Sequence, residues 1–334
     1  MKILVVGGAG FIGSHLVKRL ALAGHQPVVL DNLCSGFADA ARYGKLVKGD
    51  AGDAATVRAV LAQQPCDAVM HFASHIQVGE SVTDPAKYYG NNVSATLELL
   101  KATREARVSR FIFSSTAAVY GVPSVSPIPE SHPLSPINPY GRSKLMVEEM
   151  LADFDAAYGL KSAVLRYFNA AGADPDGELG ERHEPETHLI PLVLQAAAGR
   201  LASLKVFGRD YPTRDGTCVR DYIHVTDLAE AHQLALDHLL ECKQSDTFNL
   251  GTGKGYTVQE VIDAAAKVTG RAVPVVDMPR REGDPAELVA DPTKAMRELC
   301  WQPRLSALET LIEHAWQWEL NHFQSPSLAK TPES

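Results

Sequence analysis

An α/β fold built on a doubly wound parallel sheet is what this sequence predicts, on three observations. Short apolar runs alternate with helix-periodic stretches through the first half. The first run leads into a glycine-rich turn that opens a helix, and the alternation breaks after Asn169. Parallel strands need long crossovers, which helices supply, so strand–helix–strand repetition implies a sheet covered on both faces.

The strands are "KILVV" (2–6), "PVVL" (27–30), "KLVKG" (45–49), "DAVMHFA" (67–73), "RFIFSS" (110–115) and "SAVLRYF" (162–168). Between several of them lie helical stretches at 14–24, 54–64, 91–107 and 140–158. Residues 170–188 are rich in Gly, Asp, Pro and Glu and read as a loop into a second region. Residues 221–240 and 247–253 read as a further helix and strand of the first sheet, so the chain crosses between domains more than once. Helical periodicity returns at 257–268 and 305–321. The expected division is therefore 1–168 with 221–250 in a Rossmann-type dinucleotide-binding domain. Residues 169–220 and 251–322 form a smaller C-terminal substrate-binding domain, and 323–334 a disordered tail.

Bulk properties narrow the function. The 334 residues are 45% apolar and 22% charged, ordinary for a soluble protein. A net charge of −8 argues against nucleic acid or an anionic membrane as partner, so an anionic ligand must be held by local groups. Five scattered Cys lack the close spacing of a metal site, and no metal is expected; reduced thiols suit a cytoplasmic protein. No apolar run approaches the ~20 residues of a membrane span, and no signal peptide precedes the first strand.

The turn "VVGGAGFIGSH" (5–15) follows the first strand. Gly7, Gly10 and Gly13 allow a tight turn, close approach of a pyrophosphate and packing of helix on strand. Phe11 and Ile12 open the helix, whose free N–H groups and positive dipole end suit phosphates. Asp31 closes the second strand, where a carboxylate accepts from ribose hydroxyls and repels a 2′-phosphate, favouring NAD over NADP. Asn32 is its neighbour. Asp50, followed by Ala51, either caps a helix or holds adenine. "HFAS" carries Phe72, Ala73 and Ser74 to the carboxyl edge of the sheet, where such folds bind ligands.

The strand "RFIFSS" brings Ser114 and Thr116 to the same edge. In "NPYGRSK" (138–144), Tyr140 opens a helix behind Pro139, and Lys144 shares its face four residues on. A phenol of pKa ~10 is a poor base at neutral pH. A nearby ammonium and a positive nicotinamide ring would both favour the phenolate. The Thr116 hydroxyl can bond the same substrate hydroxyl.

Together these residues resemble the extended short-chain dehydrogenase/reductase superfamily. Within it, "VGESV", "NNVSAT", "SPINPYGRSKLMVEEM", "FGRDYPTRDGTCVRDYIHVTDLA", "NLGTGKGYTV" and "PRREGD" resemble the UDP-glucose 4-epimerase family over residues 1 to about 322. The resemblance implies NAD-dependent interconversion of UDP-glucose and UDP-galactose through a 4-keto sugar, with Tyr140 as base. It implies that Lys144 bonds the nicotinamide ribose, that Phe168 packs near the nicotinamide and that Asn91 lies by the pyrophosphate. It places substrate on Asn169, Leu189, Phe207, Arg220, Arg281 and Asp284. The two guanidiniums suit phosphate, and Tyr222 either stacks there or packs in the core. It also implies a homodimer through the helices at 91–107 and 140–158.

Two positions depart from the family pattern. Ile76 replaces a Lys that contacts the cofactor in many similar enzymes, which predicts looser NAD retention. Thr116 replaces the commoner Ser and keeps the hydroxyl. Leu288 stands where side-chain bulk gates acetylated sugars in similar enzymes, predicting preference for UDP-glucose and UDP-galactose over N-acetylhexosamines. A 4,6-dehydratase needs an acid/base pair directly after the Thr, and Ala117 and Ala118 cannot move protons. Epimerases of UDP-pentoses or UDP-uronates remain alternatives, and a non-catalytic NAD sensor would not need Tyr140, Lys144 and Thr116 together.

Overall fold

The structure, a computed structural model, describes residues 1–323 except Glu282. The expected tail thus lies outside the described residues, apart from Phe323, which ends the last helix.

The chain runs β1 (Lys2–Val6), α1 (Phe11–Leu22), β2 (Gln26–Asp31), β3 (Lys45–Lys48), α2 (Ala54–Gln63), β4 (Ala68–His71), α3 (Val78–Thr83) and α4 (Pro85–Tyr88). A π-helical turn at Tyr89–Ser94 leads into α5 (Ala95–Glu105), β5 (Arg110–Thr116), α6 (Pro139–Tyr158), β6 (Lys161–Tyr167) and β7 (Asn169–Ala171). There follow α7 (Leu189–Ala198), β8 (Leu204–Phe207), β9 (Val219–His224), α8 (Val225–Cys242), β10 (Asp246–Leu250) and β11 (Gly255–Thr257). The last elements are α9 (Val258–Thr269), β12 (Val275–Met278), β13 (Glu287–Leu288), α10 (Thr293–Glu298) and α11 (Leu308–Phe323).

Seven parallel strands form the main sheet in the order β10-β6-β5-β4-β1-β2-β3. Alternation along β1 shows why it is covered twice. Ile3 and Val5 pack into a core with Leu16 and Leu20 of α1 and Leu228 and Leu236 of α8. Leu4 and Val6 pack into a second core with Val57 of α2, Leu99 of α5 and Val147 of α6. The chain reverses direction at β1, between β4 and β2, and the crevice beyond the carboxyl ends there is the binding position of open α/β sheets.

The smaller unit joins β7, β9, β11 and β13 in one sheet, with β8 and β12 paired beside it. Its core draws Val193 and Leu194 from α7, Val261 and Ala265 from α9 and Leu311 and Ile312 from α11. Two boundaries differ from the sequence expectation. Residues 221–224 belong to β9 of the smaller sheet, so the return to the large domain begins with α8. Residues 295–301 rejoin the large core, where Trp301 is fully buried and its Nε1 donates to the Asp227 carbonyl at 3.0 Å.

Candidate active site

The glycine turn is shaped by close approach. Gly7 has φ +80°, and a Cβ there would lie 2.5 Å from Ala73 N; one on Gly13 would lie 2.2 Å from Gly7 O. Gly10 caps α1 without a side-chain bond, which leaves the first N–H groups of the helix free for an anion. Asp31, 8% exposed, accepts from Ala9 N and Leu33 N, each at 2.9 Å, and so ties the turn to the end of β2.

Asp31, Asn32, Asp50, Ala51, Ala73 and Asn91, all predicted for the cofactor, line a single cleft at this edge. Asn32 Nδ2 donates to Asp50 Oδ2 at 2.8 Å, and Gly52 N donates to Oδ1 at 2.7 Å. The cap of α2 is Asp53, whose side chain accepts from Ala55 N. Of the two readings of Asp50, helix capping is therefore out. Asn91 sits on the π-helical turn, a deformation often found at functional sites. The Phe72 side chain turns away from the cleft, its ring 4.8 Å from that of His232, so only its backbone faces the glycine turn.

The chemical groups gather where β5 ends and α6 begins. Asn138 caps α6 by accepting from Gly141 N at 2.8 Å. A Cβ on Gly141 would lie 2.6 Å from Ala118 O, so the first turn of α6 presses against the turn after β5. This brings the Tyr140 and Thr116 hydroxyls near one another. Burial pushes the Tyr140 phenol up, and the Thr116 hydroxyl opposes that. Lys144 is buried and donates from Nζ to Ser74 Oγ and Ser114 O, each at 2.8 Å. Burial pulls its pKa down to about 7, against the nearby Glu148 carboxylate. The expectation that Lys144 lowers the phenol's pKa is not met in the free protein, because the lysine is held by the strand ends and is itself desolvated.

Glu148 was not singled out in the sequence, although it continues the Tyr140–Lys144 spacing along α6. It pairs with buried Arg166 at 2.5 Å and accepts from Ser115 Oγ at 2.5 Å. Arg166 also donates to Tyr120 OH at 3.0 Å, and that hydroxyl donates to Asn249 Oδ1 at 2.7 Å. The network is an interior brace joining β5, β6, β10 and α6.

Most of the predicted substrate residues come from elements of the smaller unit and the loops between them. Phe168 and Leu288 pack with Ala117, Val119 and Tyr120 beside Thr116. Asn169 Nδ2 donates to the Asp221 carbonyl at 2.9 Å. Arg220 is ion-paired with Asp284, two residues predicted for one ligand. The Arg281 guanidinium lies 3.9 Å over the Phe207 ring, and Leu189 opens α7. Tyr222 is a correction. At 4% exposure it packs in the core of the smaller domain.

The model of a family described as "NAD dependent epimerase/dehydratase family" matches residues 3–251. The chain is 54% identical to a UDP-glucose 4-epimerase of Rhizobium meliloti (strain 1021), over 95% of this chain and 96% of that one. It is similar to the crystal structure of UDP-glucose 4-epimerase from Brucella ovis in complex with NAD. There the TM-score is 0.93 at 55% identity, covering 94% of this chain and 97% of that one. The epimerase of Bifidobacterium longum in complex with NAD+ and UDP gives 0.92 at 40% identity, covering 96% and 99%. The turn that needs its glycines, the cleft at the sheet's reversal and the matched length agree, and the chain belongs to the NAD dependent epimerase/dehydratase family.

Proposed function

We propose that this protein interconverts UDP-glucose and UDP-galactose by transient oxidation at sugar carbon 4, with NAD as resident cofactor. The observation that carries this reading is the Tyr140–Thr116 hydroxyl pair followed by Ala117 and Ala118, one proton-transfer centre with no acid/base side chain directly after the Thr. Such a centre suits reversible oxidation at one carbon better than elimination of water.

The residues fit the dinucleotide. Asp31 retains lone pairs for a ribose diol, the cleft by Asp50 takes the adenosine end, and the uncapped start of α1, with Asn91, takes the pyrophosphate. Bound there, NAD supplies a hydride acceptor and a positive ring that favours the phenolate. Tyr140 removes the proton from the sugar 4-hydroxyl while Thr116 holds that oxygen. Lys144, anchored on Ser74 and Ser114, stands ready for the ribose hydroxyls. Oxidation leaves a 4-keto sugar, which turns in the pocket and is reduced on its other face as Tyr140 returns the proton. Arg220 and Arg281 hold the diphosphate, with Asp284 and Phe207 at the uridine.

Two coarser features complete the reading. Exposed Leu97 on α5 and Met146 and Tyr158 on α6 fit a homodimer through these helices. Five free Cys, with no helix among the described residues long and apolar enough to cross a membrane, fit the cytoplasm. The test is UDP-galactose conversion without added NAD. Tyr140→Phe is expected to lower kcat by ~10²–10⁴ while bound NAD is retained. Unchanged turnover in that variant removes Tyr140 as the base.

A further inference from the structure

The loop ahead of α7 carries a group of titratable side chains that epimerisation does not use. Glu181, His183, Glu186 and His188 follow the spacing Glu-x-His-x-x-Glu-x-His, and one ligand atom from each lies within 4.8 Å of the others. Glu181 Oε1 is 3.0 Å from His183 Nδ1 and 2.7 Å from His188 Nδ1. Glu186 reaches His188 Nδ1 at 3.1 Å and His183 Nδ1 at 3.9 Å. A tetrahedron with zinc bonds of ~2.0–2.1 Å has edges of roughly 3.3 Å, and these four separations straddle that length.

Charge and burial separate this group from an ordinary surface cluster. The side chains of Glu181 and Glu186 are only 6% and 8% exposed. Among the described residues neither pairs with Lys or Arg: Arg182 goes to Asp39, and Arg200 goes to Glu319. Buried carboxylates need a compensating charge close by. The other acidic cluster nearby, Asp174, Asp176 and Glu178, already has one in the Lys18 ammonium. Here both imidazoles turn Nδ1 to the same carboxylate oxygen, and against burial Glu181 and Glu186 raise the pKa of His188 to about 10, so an entering ion displaces that proton and takes over its charge.

The surroundings hold the donors in place. Trp318 Nε1 donates to the Glu181 carbonyl at 3.1 Å. Glu186 Oε1 also accepts from Thr187 N at 2.7 Å and His188 N at 2.8 Å. The group borders an open cleft lined by Phe37, Pro191 and Trp318, which gives an ion a path in.

We propose that Glu181, His183, Glu186 and His188 bind one divalent transition-metal ion of the zinc class. Two nitrogen and two oxygen donors at tetrahedral spacing suit zinc and disfavour magnesium and calcium, which take oxygen ligands. The ion clamps the loop and fixes the start of α7, where Leu189 stands. Its influence on Leu189 as a substrate contact rests on the epimerase reading; metal binding itself does not.

The test uses untagged full-length protein, dialysed against zinc chloride and then against metal-free buffer, with metal content measured by mass spectrometry. One equivalent of zinc per chain is expected. Cobalt(II) in its place should give the intense visible absorption of a four-coordinate ion. Both signals should vanish in the double variant His183→Gln/Glu186→Gln, while far-UV circular dichroism and bound NAD stay as in the wild type. No retained zinc, or an undiminished equivalent in the double variant, overturns the proposal. Should that variant fail to fold, the wild type decides alone. A weak six-coordinate cobalt spectrum, or a Tm unmoved by zinc, rejects the site. None of these readouts involves turnover, so failure here and failure of the epimerase reading are distinguishable.

Discussion

Tyr140 illustrates how a residue's neighbours set its chemistry. In the free protein burial favours the neutral phenol, and the one opposing influence is the Thr116 hydroxyl. On the proposed reading the phenolate waits for a positive charge that arrives with the cofactor, which would couple base strength to cofactor occupancy. Leu288 is proposed to bear on specificity. It packs with Phe168 and Tyr120 beside the chemical centre, so a smaller side chain there enlarges the space around the sugar. Leu288→Ser is expected to raise turnover of UDP-N-acetylglucosamine relative to UDP-glucose by about 10-fold, measured by competing the two substrates. An unchanged ratio would remove Leu288 as the gate. At this scale the sequence was most informative where a motif fixes backbone and side chain together, as in Gly7, Asp31 and Tyr140. It was least informative where partners are far apart in the chain. Nothing local shows that Asn32 binds Asp50 and leaves capping to Asp53, or that Tyr222 points into a core.

The turn between β1 and α1 makes a sharper demand than its motif suggests. A methyl group on Gly13 would meet the Gly7 carbonyl at 2.2 Å, and a backbone atom cannot swing aside. Gly13→Ala should force the turn open at a cost of about 1–3 kcal/mol. NAD retention through purification should then fall ~10–100-fold, read by extracting and quantifying the nucleotide. Wild-type retention would mean that the turn does not grip the pyrophosphate. The main-sheet strands were legible because parallel strands buried on both faces read as continuous apolar runs. The smaller sheet was not, because β7, β11 and β13 are only two or three residues long. β9 was not legible either, because residues 221–224 read as the start of the helix that follows them. An apolar run before a helix looks the same in either sheet, and only distant partners decide between them.

Two predictions belong to the whole molecule. Burial lowers the pKa values of His15 and His232 to about 4 and of His71 and His224 to about 3. Their folded values lie below the ordinary 6.5, so the unfolded chain takes up these protons first. The stability they allow is full above pH 6.5 and falls as pH drops towards 3–4. Near pH 5.5, unfolding should take up roughly three to four protons per chain, each worth about 1.4 kcal/mol per pH unit. Denaturant titrations between pH 5 and 7 measure this, and a flat profile would contradict it. The second prediction concerns assembly. Light scattering should report twice the chain mass, and Leu97→Glu/Met146→Glu should report a monomer, because charges would replace the apolar surface of α5 and α6. A monomeric wild type would place the exposed apolar face in some other role.

The order of strands in the main sheet has a consequence for synthesis. β10 covers the outer edge of β6, yet β6 ends at Tyr167 and β10 starts only at Asp246, after the whole of the smaller domain's first segment and α8. At translation rates of ~5–20 residues per second, the edge of β6 stays bare for roughly 4–16 s on the ribosome. An uncovered strand of "SAVLRY" is a template for pairing with a neighbouring nascent chain. The excursion through the smaller domain is therefore also an interval during which the growing polypeptide is exposed to aggregation.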